Sequence, residues 1–271
     1  MLETEERNSK TILLDKESTE NMLRLFQTAN EESVQAVEKA LPNIVKAVDA
    51  AAESIAAGGR IIYAGAGTSG RLATLDASEC PTTFGIDCST VVALIAGGRD
   101  AVFRSAPEYE DSKEIGRKDI LDLTPNSNDF VIGISASGGA AYVVGVLEAA
   151  RECGSKTASI SSNSNTPIAR NADIEIITPT GPEPIAGSTR MKAGNAQKMV
   201  LNMISTGAMV KTGKVRGNLM INLKPSNEKL RNRMIGIVAE LTNVTAEEAV
   251  ELLNKHGWSI PNVLQCFDKI S

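Results

Sequence analysis

Between Arg60 and Ile177 five short apolar runs recur, and this alternation restricts the possible folds more than any other feature of the chain. The runs are Arg60–Ala64, Val91–Ile95, Phe130–Ile134, Thr157–Ile160 and Ile174–Ile177. The first closes in Gly65-Ala66-Gly67-Thr68-Ser69-Gly70, ahead of a helical Arg71–Leu75. The second closes in Gly97-Gly98. The third closes in Ser135-Ala136-Ser137-Gly138-Gly139, ahead of a helix from Tyr142 to Cys153. Strands that are apolar throughout, rather than on alternate residues, are covered on both faces, as parallel strands flanked by helices are. The pattern predicts an α/β fold: a parallel five-stranded sheet with helices on both faces, doubly wound. Ligands of such sheets sit outside the carboxyl ends of the strands, where the strand order reverses.

The flanks are helical. Residues 1–18 are polar and read as an arm. One helix is expected after Ser18 and a longer one over about Ser33–Ala57, with a break or kink at Pro42 because proline removes a helical hydrogen bond. Ser188–Lys211 reads as a long helix with Ala193, Ala196, Gln197, Val200, Leu201, Ile204 and Ala208 on one face. A further helix is expected from Ser226, then two short ones to Phe267. The expected organisation is an N-terminal arm and helices over 1–57, an α/β domain over 58–225 and a small C-terminal helical region over 226–271.

Composition narrows the function. With 28 basic against 33 acidic residues the net charge is −5, and no basic block offers a nucleic-acid phosphate backbone a face. The N-terminus is acidic and polar rather than a secretory signal, and no apolar run approaches a bilayer span, so a cytoplasmic protein without membrane or nucleic-acid partners is expected. The four cysteines form no CxxC and are expected as free thiols. The single histidine, His256, excludes a HExxH zinc site and argues against a Ser-His-Asp triad. Carboxylates, lysine or tyrosine would then move the protons.

Residues 65–70 match GxGxxG, but a dinucleotide site also needs an acidic residue at the end of the second strand, and Ile95-Ala96-Gly97-Gly98 has none. The loop instead carries Thr68 and Ser69 at a helix start, where free N–H groups and hydroxyls suit a phosphate monoester. A plain N-capped turn is the alternative. Ser135 and Ser137 repeat the arrangement on the third strand, and two such loops converge on one anion. Glu79, in Asp76-Ala77-Ser78-Glu79-Cys80-Pro81, is expected near the end of a helix stopped by Pro81. The dipole there disfavours an anion and suits a general acid, though a solvated helix-end glutamate fits equally. Glu108-Tyr109-Glu110-Asp111 reads from composition alone as a solvated helix start. Gly187-Ser188-Thr189-Arg190-Met191-Lys192 puts two hydroxyls and two cations at a helix entrance, either for an anionic or polyhydroxylated ligand or as a cap with exposed basic residues.

These stretches strongly resemble the N-acetylmuramic acid 6-phosphate etherases, relatives of the sugar isomerase (SIS) domain and of the glucokinase regulatory protein. The resemblance runs from about residue 18 to 240. It is carried by GAGTSGRLATLDASECPTTFG (65–85), LIAGG (94–98), GPEPIAGSTRMKAGNAQKMVLNMISTGAMVKTG (181–213) and GNLMINLKPSNEKL (217–230). It implies cleavage of the D-lactyl ether at C3 of the open-chain sugar to N-acetylglucosamine 6-phosphate and D-lactate, by elimination and then water addition, without metal or other cofactor. It implies Glu79 as proton donor and Glu110 as the base at C2. It also implies phosphate and sugar contacts among Gly67, Thr68, Ser69, Gly70, Ser135, Ser137, Gly138, Glu183, Ser188, Thr189, Arg190 and Lys192. A role in peptidoglycan recycling, a phosphosugar substrate and a homodimer with shared active sites follow from the same resemblance. The chain departs from the family where Ala-Ser-Gly-Arg-Thr-Pro is usual: it reads Ser137-Gly138-Gly139-Ala140-Ala141, lacking the cation and the hydroxyl. Pro107 replaces a usual glutamate, and Asn195 a usual threonine. A non-catalytic phosphosugar-binding regulator and a phosphosugar isomerase are the alternatives. Retention of Glu79 and Glu110 favours the etherase.

Overall fold

The computed structural model describes residues 2–267. After three short 3-10 turns within Glu3–Lys16 the chain enters α1 (Thr19–Ala56). It then alternates through β1 (Ile61–Gly65), α2 (Gly67–Phe84), β2 (Val91–Ile95), α3 (Lys113–Asp122), β3 (Phe130–Ile134), α4 (Ala141–Glu152), β4 (Lys156–Ser161), α5 (Pro167–Arg170) and β5 (Ile174–Ile177) to α6 (Lys192–Lys211). A two-stranded hairpin of β6 (Val215–Arg216) and β7 (Leu219–Met220) precedes α7 (Glu228–Thr242), α8 (Ala246–Lys255) and α9 (Ile260–Phe267). No helix among the described residues is long and apolar enough to cross a membrane, and all four cysteines are free.

The five strands lie in the order β2-β1-β3-β4-β5, and every neighbouring pair is parallel. The doubly wound sheet expected from the apolar runs is therefore present. All of β1 and β3 is buried. Ile62, Ala64 and Val131 pack with Val143, Val146 and Leu147 of α4 in one core cluster. Each isoleucine, valine or leucine side chain among them contributes roughly 1.5–3 kcal/mol on burial. The order places the reversal between β1 and β3, so the crevice outside their carboxyl ends is where a ligand is expected.

Three helical expectations change. The two N-terminal helices are one 38-residue helix with Pro42 inside it. Pro42 lies on the exposed face, beside exposed Glu38 and Lys39, where the carbonyl that proline leaves without a helical donor is open to solvent rather than buried. Likewise α2 continues through Pro81 to Phe84, so Glu79 lies inside the helix rather than at its end. The long helix expected from Ser188 begins at Lys192, where a glutamate of the preceding loop caps it.

The chain forms two compact units. The first comprises the residues up to Ala77 and Ser89–Ala208, including the sheet, and the second comprises Ser78–Cys88 and the residues from Met209 onward. The second has its own core of Leu230, Met234, Val238, Leu253, Ile260 and Val263 from α7, α8 and α9. A reciprocal Thr245–Glu248 capping box starts α8, and Arg231 stacks 5.2 Å over the ring of Trp258. His256 belongs to this unit, at the end of α8, with Nε2 3.8 Å from Cys266 Sγ.

Candidate active site

A cavity of about 220 Å3 lies at the β1/β3 reversal, lined by Glu5, Ala66–Ser69, Glu110, Ile134–Ser137, Ala140 and Thr189. The loops after β1 and β3 meet here, as the paired glycine-hydroxyl motifs predict. The first N–H groups of α2, which begins at Gly67, have no intrahelical acceptor. Gly70 lets the helix approach the sheet: a Cβ there would lie 2.5 Å from Ile95 Cγ1 and 2.8 Å from the Gly65 carbonyl oxygen.

The two hydroxyl loops differ in what they can give an anion. Ser135 Oγ accepts from Gly138 N–H at 3.1 Å, and Ser137 Oγ accepts from Gly139 N–H at 3.2 Å. Each hydroxyl has an acceptor role filled by a backbone amide, which leaves a proton to donate. The two oxygens are hydrogen-bonded to each other at 3.4 Å, so one of the two protons is shared within the pair and the other is left for a ligand. Gly138 makes this turn with φ +79°, and a Cβ there would fall 2.3 Å from Thr166 Cβ. Ser69, by contrast, is buried and donates its hydroxyl to Gln197 Oε1 at 3.0 Å. Its backbone N–H, not its hydroxyl, faces the task of holding an anion.

Glu110 enters the cavity from the segment between β2 and α3, following the 3-10 turn Pro107–Tyr109. Three contacts fix that segment. The Glu110 carbonyl accepts from Tyr142 N–H at 2.9 Å in the first turn of α4. Tyr142 is fully buried and donates its hydroxyl to Asp119 at 2.8 Å, and burial together with that carboxylate holds the phenol protonated far above its ordinary range. Arg71 of α2 donates to the carbonyls of Val102 at 2.9 Å and Arg104 at 2.8 Å. Burial of the Glu110 carboxyl, aided by the neighbouring Asp111 charge, raises its pKa above the usual carboxylate value. A half-buried carboxyl of raised basicity beside a set of anion donors is an arrangement for proton transfer on a phosphorylated substrate.

The remaining sequence candidates divide. Gly67, Thr68, Ser69, Ser135, Ser137, Thr189 and Glu110 line the cavity, while Gly70 and Gly138 shape its loops. Glu183 is fully buried and accepts from the N–H groups of Lys192 (2.8 Å) and Ala193 (2.9 Å), capping α6. Lys192 is buried too, with Nζ on Glu32 at 2.6 Å and on the Pro182 carbonyl at 3.1 Å. Both residues are committed to holding α6, which explains why an acid and a base of the same stretch stand apart from the cavity. Ser188 precedes α6 without lining it. Arg190 lines a neighbouring cavity of about 360 Å3 with Thr68, Leu72, Lys198 and Met199. Glu79 is exposed and belongs to the second unit.

Two residues escape a reading by motif. Gln197 holds Ser69, and its signal was a polar side chain on the otherwise apolar face of α6. Glu5 has no sequence signal, since it sits in a polar arm among other acids. Asp76 supports the site from below: buried on α2, it accepts from Tyr63 (3.0 Å), Asn202 (2.6 Å) and Ser205 (3.2 Å), joining β1, α2 and α6. Among the described residues no cluster of His, Cys, Asp or Glu could hold a metal ion.

Comparison with known proteins places the chain among phosphosugar-related families. Residues 43–151 match the glucokinase regulatory protein N-terminal SIS domain family, and residues 116–206 match the SIS domain family. An N-acetylmuramic acid 6-phosphate etherase of Clostridium beijerinckii is 49% identical over 259 residues, covering 96% of this chain and 85% of that protein. One from Salmonella agona is 48% identical, covering 96% and 87%. Among solved structures, a putative sugar-phosphate isomerase from Listeria monocytogenes has a TM-score of 0.51 at 20% identity, covering 72% of this chain and 92% of that one. A putative phosphosugar isomerase involved in capsule formation from Bacteroides fragilis has a TM-score of 0.54 at 21% identity, covering 73% and 94%. At these identities the two structures establish the shared fold alone.

Proposed function

The chain belongs to the family of N-acetylmuramic acid 6-phosphate etherases, and from that premise we propose that it cleaves the lactyl ether of N-acetylmuramic acid 6-phosphate to N-acetylglucosamine 6-phosphate and D-lactate. The observation that carries this reading is Glu110: a carboxyl of raised basicity in the same cavity as the Ser135–Ser137 and Gly67–Ser69 loops. In the open-chain sugar the C1 aldehyde acidifies the C2 proton. Glu110 takes that proton, the C3–O bond breaks, and the lactyl oxygen leaves as it is protonated. Water then adds at C3 of the unsaturated intermediate, restoring the C3 hydroxyl, and C2 regains a proton. Atoms balance with water as the only co-reactant. Incubating the protein with N-acetylmuramic acid 6-phosphate and assaying D-lactate tests the reading. Lactate release supports it, and sugar-phosphate binding without lactate favours the regulator.

The proton donor in this account is Glu79, supplied by a second copy of the chain. Glu79 is exposed, so its carboxyl is open to a partner. Exposed apolar side chains offer a surface for that partner: Val34, Leu41 and Val45 recur on one stripe of α1, with Leu75 on α2 and Met203 on α6 also exposed. A homodimer of this kind places two sites symmetrically.

Phosphate is held by amides and by the one hydroxyl proton that the Ser135–Ser137 hydrogen bond leaves free. Ser137→Ala is expected to weaken N-acetylglucosamine 6-phosphate binding about tenfold, and Ser69→Ala by less than about threefold, because the Ser69 proton already goes to Gln197. Titration calorimetry on both variants checks this, and the reverse order contradicts it. Gly139 is exposed, and the nearest atom to an added Cβ is Ser137 Oγ at 3.6 Å. Gly139→Arg, restoring the cation usual at this position, is therefore expected to fold and to tighten the same ligand several-fold.

A further inference from the structure

The N-terminal arm reaches the cavity, because Glu5 lines it together with Glu110, Ser135, Ser137 and Thr189. A chain of side-chain contacts holds it there. Thr4 is fully buried, and its Oγ1 accepts from Asn163 Nδ2 at 3.1 Å. The same nitrogen donates to the carbonyls of Ala136 at 3.2 Å and Ser137 at 3.4 Å. One amide group after β4 thus joins the arm to the loop that carries Ser135 and Ser137. Farther along, Asn8 Nδ2 donates to the Pro182 carbonyl at 3.1 Å and Thr11 Oγ1 to the Pro184 carbonyl at 2.8 Å. Lys10 pairs at 2.7 Å with Glu32, whose other oxygen holds Lys192. The arm is stitched from the end of β4 to the segment before α6.

A carboxylate beside anion donors works against phosphate, since like charges repel. It does suit the rest of a sugar phosphate. Hydroxyl and acetamido N–H groups are donors, and a carboxylate is the strongest acceptor a side chain offers them. We propose that Glu5 is a substrate-contacting residue: its carboxylate accepts hydrogen bonds from the sugar's hydroxyl or acetamido N–H groups while the serine loop holds the phosphate, and Thr4 and Asn163 position it. The identity of the sugar rests on the etherase reading, whereas the division of labour between arm and serine loop rests on the contacts above.

The test compares two probes by calorimetry, N-acetylglucosamine 6-phosphate and inorganic phosphate. Glu5→Ala is expected to weaken the sugar phosphate about 10- to 100-fold and to leave inorganic phosphate unchanged or bound more tightly. Thr4→Val keeps the buried shape and removes the oxygen that Asn163 uses. It is expected to weaken the sugar phosphate as well, and to add little in the Glu5→Ala background, because both changes act through one contact. Sugar-phosphate affinity unchanged in Glu5→Ala overturns the proposal, as does an equal loss for both probes, which would make Glu5 part of the phosphate cradle. Additive losses in the double variant overturn the positioning role of Thr4. The etherase reading fails separately: native protein that binds the sugar phosphate and releases no lactate contradicts that reading while the Glu5 contrast is still measured.

Discussion

Glu110→Gln is expected to release lactate about 10²–10⁴-fold more slowly than the native chain, the range by which a positioned base accelerates proton transfer. Glutamine keeps the volume and one carbonyl oxygen but cannot take the C2 proton. The backbone bond from Tyr142 N–H to the Glu110 carbonyl is untouched, so the segment stays in place and the loss falls on kcat more than on KM. The pH profile gives an independent check. The base acts only when ionised, and burial together with Asp111 raises its pKa. In kcat/KM the acid limb therefore rises with pH through a value above that of an ordinary glutamate. Asp111→Asn removes the smaller of the two causes, and the limb is expected to move to lower pH. A Glu110→Gln variant within threefold of native activity contradicts the assignment of the base.

Glu79→Gln is expected to be as inactive as Glu110→Gln, and yet a mixture of the two inactive proteins is expected to work. If each site takes Glu110 from one chain and Glu79 from its partner, a mixed dimer holds one fully native site and one doubly substituted site. Equimolar subunits, dissociated and reassociated at random, then recover roughly a quarter of the native activity. Two sites each complete within one chain recover nothing. The apolar stripe of Val34, Leu41 and Val45 makes a companion test possible: a charge at Val45, exposed on α1, is expected to give monomers without lactate release. Recovery absent from the mixture, with mixed dimers demonstrated by mass, contradicts the shared site.

The sheet was legible because its signal is local and redundant. Each strand is a short apolar run, and the two glycine-hydroxyl loops mark the ends of the strands that flank the reversal of strand order. Helix limits were less legible. Local sequence predicts a break or kink at Pro42 and a stop at Pro81, but α1 and α2 run through both residues. The site divided in the same way. Backbone-driven features, such as Gly67–Ser69 and Ser135–Ser137, follow from turn chemistry. Glu183 and Lys192 do not, since Lys192 pairs with Glu32, 160 positions away on α1, and Glu183 turns back onto the first amides of α6, so only the folded chain shows that both are already engaged. Glu110 is the opposite case. Composition gave it a solvated place in an acidic cluster, the resemblance gave it a role, and the packing of Tyr142 and Arg71 around its segment supplies the physical reason it can have one. Glu5 had no signal, because a polar arm folds across the sheet through single side chains that leave no period in the sequence.

The central claim is that this cavity lets a buried carboxylate remove the C2 proton of a phosphorylated amino sugar so that its C3 ether bond breaks. Running the reaction in deuterium oxide and examining the product by proton NMR tests it most directly. The account predicts N-acetylglucosamine 6-phosphate carrying deuterium at C2, formed in equal amount with D-lactate. Lactate accompanied by a product that keeps its original C2 proton would contradict it.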